Sequence, residues 1–351
     1  MSEPLVEVVR AGVVDAIHRG DLALVDSGGR LLASVGDPVG KITYWRSAAK
    51  PFQALPLLFT GAADRWGLGQ EELALIAGSH NGERIHVDLA AAVLSKIGCE
   101  VADLVCGVHP PLSPQAASDL QRGNEEPTVL HNNCSGKHIG MLALAQHLGV
   151  DRLGYQSAGH PVQEAILGAI CQFSDVCSDA VSIGIDGCGV PCFGTSLYSL
   201  ALAFARLMDP RELSKTCAGA GLDIRTAMAA HPYLVAGDGR LDTDLMQAAA
   251  GGLIAKGGAA GVQCVGLPGG FGLAIKIEDG ATGPPPSPGA VVAVAALHQL
   301  GMLDQAQVSA LGRHARPVLR SVSGQVVGEV RPVFDLATDP GLPARSGRNS
   351  D

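Results

Sequence analysis

The chain has 351 residues and carries 25 lysine and arginine against 34 aspartate and glutamate side chains, a formal charge of −9. That balance argues against nucleic acid or an anionic membrane surface as a partner and leaves a small polar substrate open. Hydrophobic residues make up 47% of the chain, so its 46 glycines are read as tight turns and close backbone approaches around a large core, not as disorder. No apolar run approaches the roughly 18 to 20 residues of a membrane-spanning helix, and residues 1–5 lack the start of a signal peptide. A cytoplasmic location follows as an expectation. The nine cysteines are then expected to be reduced, and some could serve as thiolate ligands.

In chain order, residues 6–35 read as β-rich, with runs 22–25 and 31–35 flanking Asp26-Ser27-Gly28-Gly29 as a hairpin. A helix is predicted to begin close to Ser47, because Pro51 suits a first turn, and Pro56 is expected to kink or end it. The polar loop Gly78-Ser79-His80-Asn81-Gly82 follows, and Leu89, Val93 and Leu94 space a helix over 87–97. The proline-containing stretch 108–114 reads as an exposed loop. Residues 131–138 feed a helix marked by Met141, Leu142, Ala145 and Leu148, with Asn133 and Ser135 as caps. A short buried strand is predicted over 181–185, ending in Asp186-Gly187-Cys188, and a buried helix over 197–208. A second hairpin joins 262–267 to 273–277 around Pro268-Gly269-Gly270. Residues 284–288 read as a rigid loop before a helix over 290–300, 324–333 as a further strand, and 341–351 as a disordered tail. Strands cluster at both ends of the chain and helices in its middle. The expectation is therefore one mixed α/β domain over 1–340, with an antiparallel sheet lobe from about 1–45 and 255–340 and a helical lobe over about 46–254.

Two constellations carry chemistry. In Arg46-Ser47-Ala48-Ala49-Lys50-Pro51, positions 47 and 50 share a helix face, so the Lys50 amine can act as base toward a Ser47 nucleophile near the positive end of the helix dipole. A lysine works as a base only if burial or a neighbouring cation brings its pKa down from near 10.4, and Lys256 is a candidate for that cation. The Ser79 loop, with His80, Asn81 and Arg84, would supply proton relay and substrate contacts. The second constellation sets Cys134 against Cys188, two thiols able to clamp a zinc ion. By ligand type His138 is the orthodox third donor, and Lys137 would bind only as a neutral amine.

The segments Arg46 to Pro51, Gly78 to Gly82, Asn132 to His138 and Asp186 to Pro191, in that order, resemble the rhizobial-type, or third-class, L-asparaginases. The resemblance runs from about Val6 to Val333. It implies a fold similar to the serine β-lactamases, penicillin-binding proteins and glutaminases, assembly as a homodimer, and hydrolysis of L-asparagine to L-aspartate and ammonia. It also implies Ser47 as nucleophile with Lys50 as its base, Ser79 with Lys256 as a second serine–lysine pair, and Cys134, Lys137 and Cys188 as ligands of a Zn2+ ion that helps to position substrate, with Asp186 adjacent. His138 remains a second candidate ligand. Arg46, His80 and Arg84 are candidates for the substrate carboxylate and Asp186 for its ammonium, on charge complementarity alone.

One departure stands out. Where the family has a segment like Lys-Thr-Gly-Ala-Glu-Gly, this chain has Lys256-Gly257-Gly258-Ala259-Ala260-Gly261, without the hydroxyl and the carboxylate. Two alternatives stay open on the sequence. SxxK also marks β-lactamases and peptidoglycan peptidases, against which the lack of an export signal speaks, and the changes at Gly257 and Ala260 allow a zinc-containing amino-acid-binding protein without activity.

Overall fold

The computed structural model describes residues 1–282 and 287–336. Most of the predicted rigid loop at 284–288 and all of the tail 341–351 lie outside the described residues. The main sheet has eight antiparallel strands drawn from the two ends of the chain, as expected. They are β1 (Glu3–Arg10), β2 (Val13–Asp26) and β3 (Leu31–Val35) from the start, and from the end, with β4 to β6 assigned below, β7 (Ile254–Gly258), β8 (Val262–Leu267), β9 (Phe271–Ile277), β10 (Val318–Arg320) and β11 (Val326–Pro332). Their order is β10-β11-β1-β2-β9-β8-β7, with β3 paired to β2. Strand β2 joins the two halves. Its first half is exposed and pairs with β1, whereas Leu22 to Val25 are buried between β3 and β9, where Leu22 faces Val35 on one side and Ile275 on the other. Both predicted hairpins are present, and the buried helix Leu197–Met208 lies against β2, β8 and β9.

A second, three-stranded sheet has the order β4-β6-β5, with β4 at Ile42–Tyr44, β5 at Ser182–Ile185 and β6 at Pro191–Ser196. Here the sequence expectation of a buried strand fails. Strand β5 has a neighbour on one side only, and Ile183 and Ile185 are 46% and 68% exposed. Its turn, closed by Asp186 N–H to the Val190 carbonyl and Gly189 N–H to the Asp186 carbonyl, presents Asp186 and Cys188 side by side.

The predicted Ser47 helix begins later than expected. Arg46 adopts the left-handed conformation (φ 50°), so the chain first makes a 3-10 turn over Arg46–Ala49, and the α-helix runs Lys50–Phe59 with Pro51 in its first turn. Pro56 neither ends this helix nor stands near its middle. It lies in the last turn, and its carbonyl accepts a hydrogen bond from the Thr60 hydroxyl at 2.8 Å. The helix over Ser135–Leu148 is likewise capped differently: Cys134 is the cap residue, and the Asn132 side-chain oxygen accepts its N–H at 2.9 Å.

Two glycines draw these segments together. A Cβ at Gly136 would stand 2.5 Å from the Leu75 carbonyl oxygen, so the Ser135–Leu148 helix can press against the Gln70–Ile76 helix that leads into the Ser79 loop. A Cβ at Gly258 would stand 2.9 Å from the Trp45 carbonyl oxygen, so β7 can run beside the Arg46 turn. Gly136→Ala is expected to lower unfolding free energy by about 1–3 kcal/mol through this backbone overlap. Gly219→Ala, in an exposed helical position with nothing within 4 Å, should raise it by up to about 1 kcal/mol. Denaturant melts of the two variants check both signs.

Candidate active site

Ser47 lies half-buried on the 3-10 turn, and its hydroxyl takes a hydrogen bond of 3.4 Å from Ser79. The two serines come from segments 32 residues apart, and Ser79 is held by its own N–H donating to the Val235 carbonyl at 2.7 Å. The turn owes its shape to Arg46. A non-glycine residue at positive φ costs on the order of 1–2 kcal/mol. Opposing that cost, Arg46 donates to Asp186 Oδ1 from Nε at 3.1 Å and from Nη2 at 2.9 Å. Gly187 N–H also donates to Oδ1, so Asp186 Oδ2 has no protein donor among the described residues.

Two lysines have almost no exposure, Lys50 at 1% and Lys256 at 0%; Lys50 follows Ser47 by three residues, and Lys256 lies on β7, which packs against the Arg46–Ala49 turn. The Lys50 amine donates to the Asn133 carbonyl at 2.8 Å, and no hydrogen bond joins it to Ser47 among the described residues. Burial lowers its pKa, partly countered by the Cys134 thiol beside it. Lys256 donates to the Gly257 carbonyl and lies 3.6 Å from Asp242 Oδ2. Burial brings its pKa down to about 7, with Asp242 pulling upward and Lys50 and Arg240 pushing further down. Near neutral pH this amine is therefore poised between its two forms.

Asp242 is buried too. It accepts the Gly257 N–H at 2.9 Å and the Gln263 amide at 3.0 Å, and burial, which opposes its charge, is outweighed by Lys256, Arg240 and these donors. The glycine at 257 makes room for this arrangement. A Cβ there would stand 3.0 Å from Gln263 Oε1 and 3.5 Å from the Asp242 oxygens, so the space of the missing hydroxyl-bearing side chain is taken by two polar groups from elsewhere.

Cys134, Lys137 and Cys188, which the sequence nominated as ligands, lie near one another. Lys137 donates to Cys188 Sγ at 3.0 Å, and Cys134 Sγ donates to Asn133 Oδ1 at 3.0 Å. The neighbouring Cys188 thiol, reinforced by Lys137 and Lys50, holds the Cys134 thiol well below its usual pKa despite burial, and Cys134 together with burial pushes Cys188 up. Burial opposes the charge on Lys137, but the two sulfurs outweigh it and raise its pKa. Two thiols and one amine converging in this way form a donor set that fits a thiophilic cation once the amine is neutral. Among the described residues no group of three or more histidine, cysteine, aspartate or glutamate side chains is placed to hold a metal. His138 does not join the trio through its Nδ1, which meets the Tyr155 hydroxyl at 2.6 Å.

Other expected contacts fall elsewhere. His80 is wholly buried, and since Nδ1 accepts the Gly82 N–H, Nε2 carries the proton and donates to Ser135 Oγ at 3.0 Å. Burial and neighbouring cationic groups depress its pKa strongly, so it is a neutral brace for the Ser79 loop and not a partner for a carboxylate. It stacks on His86 at 5.1 Å, and His86 on Tyr233 at 5.7 Å. Asn81 gives both its donor bonds to Glu83 and the Asp238 carbonyl. Arg84 lies on the surface, its side chain 93% exposed and paired with Asp88, so the structure does not bring it to the cluster. The residues that sequence reasoning missed are Asp242, Gln263 and Arg240, whose guanidinium donates to the Ser79 carbonyl and to Asn81 Oδ1. A polar run such as Gly237 to Asp244 has no spacing that announces a link to residue 256.

No curated protein matches the chain. Among solved structures, native Mglu in 4.3 M NaCl is 17% identical with a TM-score of 0.38, over 74% of this chain and 56% of that one. The glutamate form of Mglu is 14% identical with a TM-score of 0.41, over 85% and 61%. A beta-lactamase from Mycobacterium bovis is 13% identical with a TM-score of 0.38, over 80% of this chain and 94% of its own. The chain thus spans less than two thirds of the length of these two Mglu chains. The sequence profile of L-asparaginase II matches residues 6–332, nearly the whole chain, and with that match the chain belongs to the L-asparaginase II family.

Proposed function

We propose that the protein hydrolyses L-asparagine to L-aspartate and ammonia through an ester on Ser47. The observation that carries this reading is the Ser47–Ser79 hydroxyl contact at 3.4 Å, with a buried lysine on the same helix start and another on the strand packed against it. Ser47 Oγ attacks the side-chain amide carbon, its proton passing to neutral Lys50, and a bond forms between oxygen and carbon. Backbone N–H groups at the helix start are assigned to the developing oxyanion in this scheme. The C–N bond then breaks, and the leaving nitrogen takes, through Ser79, the proton that Lys50 received from Ser47, with Lys256 neutral throughout this step. Water adds to the ester and the C–Oγ bond breaks, restoring Ser47. Asp186 Oδ2, without a donor among the described residues, is assigned to the substrate ammonium.

Cys134, Lys137 and Cys188 would hold a Zn2+ ion, whose positive charge would add Lewis-acid polarisation beside the substrate. Lys137 would have to give up its proton for this, and the released proton is the expected accompaniment of binding. A homodimer, implied by the family resemblance, belongs to the same proposal, as does a cytoplasmic location. Among the described residues no helix is long and apolar enough to cross a membrane.

Ser47→Ala and Lys50→Ala should each reduce ammonia release from asparagine by at least about a thousandfold. Near-wild-type rates in either contradict the scheme. The pH profile follows from Lys256: its neutral form accumulates as pH rises through about 7, so kcat/KM should climb across that range. Asp242→Asn removes the group that raises this pKa, so the acid limb should move to lower pH by roughly one unit, and an unmoved limb contradicts the role given to Lys256. Zinc should raise the melting temperature of the wild-type protein and not of Cys134→Ser, with metal content measured alongside by mass spectrometry.

A further inference from the structure

Three cationic groups stood ready on the sequence to receive a substrate carboxylate, and none is free to do so. Arg46 is bound to Asp186, His80 is neutral and enclosed, and Arg84 points to the surface. The guanidinium that does stand at the cluster is Arg240. It is half-buried, and a single nitrogen, Nη1, donates both to the Ser79 carbonyl at 3.4 Å and to Asn81 Oδ1 at 3.1 Å. Ser79 thus touches Ser47 through its hydroxyl and Arg240 through its carbonyl, which puts the guanidinium within one residue of the nucleophile.

Arg240 also has no ion-pair partner in contact among the described residues: no carboxylate lies within 4.0 Å of its nitrogens. Glu83 is screened from it by the Asn81 amide and is engaged by Tyr233, Asn81 and the Asp238 N–H. Asp242 spends its oxygens on Gly257, Gln263 and Lys256. A half-buried guanidinium with Nε and Nη2 uncommitted presents the forked donor pair that a carboxylate accepts in bidentate fashion. In asparagine the α-carboxylate is only a few bonds from the amide carbon, so a substrate held at Ser47 needs its carboxylate partner close by, and Ser79 contacts both Ser47 and Arg240.

We infer that Arg240 binds the α-carboxylate of the amino-acid substrate and so selects asparagine over amides that lack that group. This rests on the proposed hydrolysis at Ser47. On this assignment the guanidinium fork is held in place by Asn81, whose amide is itself fixed by Glu83 and the Asp238 carbonyl, so the carboxylate meets a donor already oriented.

The test compares ammonia release from L-asparagine with that from 3-aminopropanamide, which has the same amide and amine and no carboxylate. Compared at a pH above the Lys256 limb of both proteins, Arg240→Met should lower kcat/KM for asparagine, mostly through KM, about 100-fold more than it lowers that for 3-aminopropanamide. Arg240→Lys, which keeps the charge and loses the fork, should fall between. Equal losses on both substrates mark a merely structural role and overturn the assignment, as do unchanged constants on both. Calorimetric binding of L-aspartate to the wild-type and Arg240→Met proteins separates this from the hydrolase reading. Weakening by 10-fold or more upholds Arg240 even if the wild-type protein releases no ammonia, and equal affinities overturn it even if ammonia is released.

Discussion

Two buried amines close enough to influence each other cannot both remain protonated at little cost, and the rest of the site is arranged around that constraint. Lys256 has its pKa brought from 10.5 to about 7, which corresponds to roughly 5 kcal/mol of preference against its charged form. Burial supplies most of this, and Lys50 and Arg240 add to it. The same burial would leave Lys50 stranded were it not for the Asn133 carbonyl and the Cys134 thiol. Asp242 acts as the counterweight, its carboxylate keeping Lys256 from losing its proton altogether. A base that must both take and return a proton near neutral pH requires such a balance.

The balance is assembled from separate parts of the chain. Ser47 and Lys50 come from a turn and helix start that follow β4, Ser79 from a loop, Cys134 and Lys137 from the head of a long buried helix, Cys188 from the β5–β6 turn, and Lys256 from the last strand of the main sheet. The sheet closes the two chain ends on each other through β2 and β9, so β7 is fixed relative to the helices. Gly258 and Gly136 then let backbone meet backbone where side chains would hold the segments apart. The left-handed Arg46 belongs to the same logic: local strain at the residue before Ser47 is sustained by an ion pair to Asp186, which lies two residues from the Cys188 thiol.

Much of this was legible in the sequence because it is local. The two hairpins, the helix over 197–208 and the polar loops each announce themselves through periodicity and turn residues within a short window. The serine and lysine positions and the thiols were legible through motif order. What could not be read is what depends on register between distant segments. The exposure of β5 follows from its place at a sheet edge, and the helix beginning at Lys50 follows from a backbone angle at Arg46. Charge complementarity nominated Arg46, His80 and Arg84 for a carboxylate because the sequence does not tell which cations already have partners or have been neutralised by burial. Asp242 and Arg240 escaped notice for the converse reason, since their neighbours at 257 and 79 are brought to them only by the fold.

The central claim is that the Ser47 oxygen forms a bond to substrate carbon while the amines handle the protons. Acid quenching of the protein during turnover of L-asparagine, followed by mass mapping of its peptides, tests this most directly. The account predicts an aspartyl ester on the peptide that contains Ser47. An aspartyl adduct on Cys134 or Ser79, or steady ammonia release with no adduct on any residue, would contradict it.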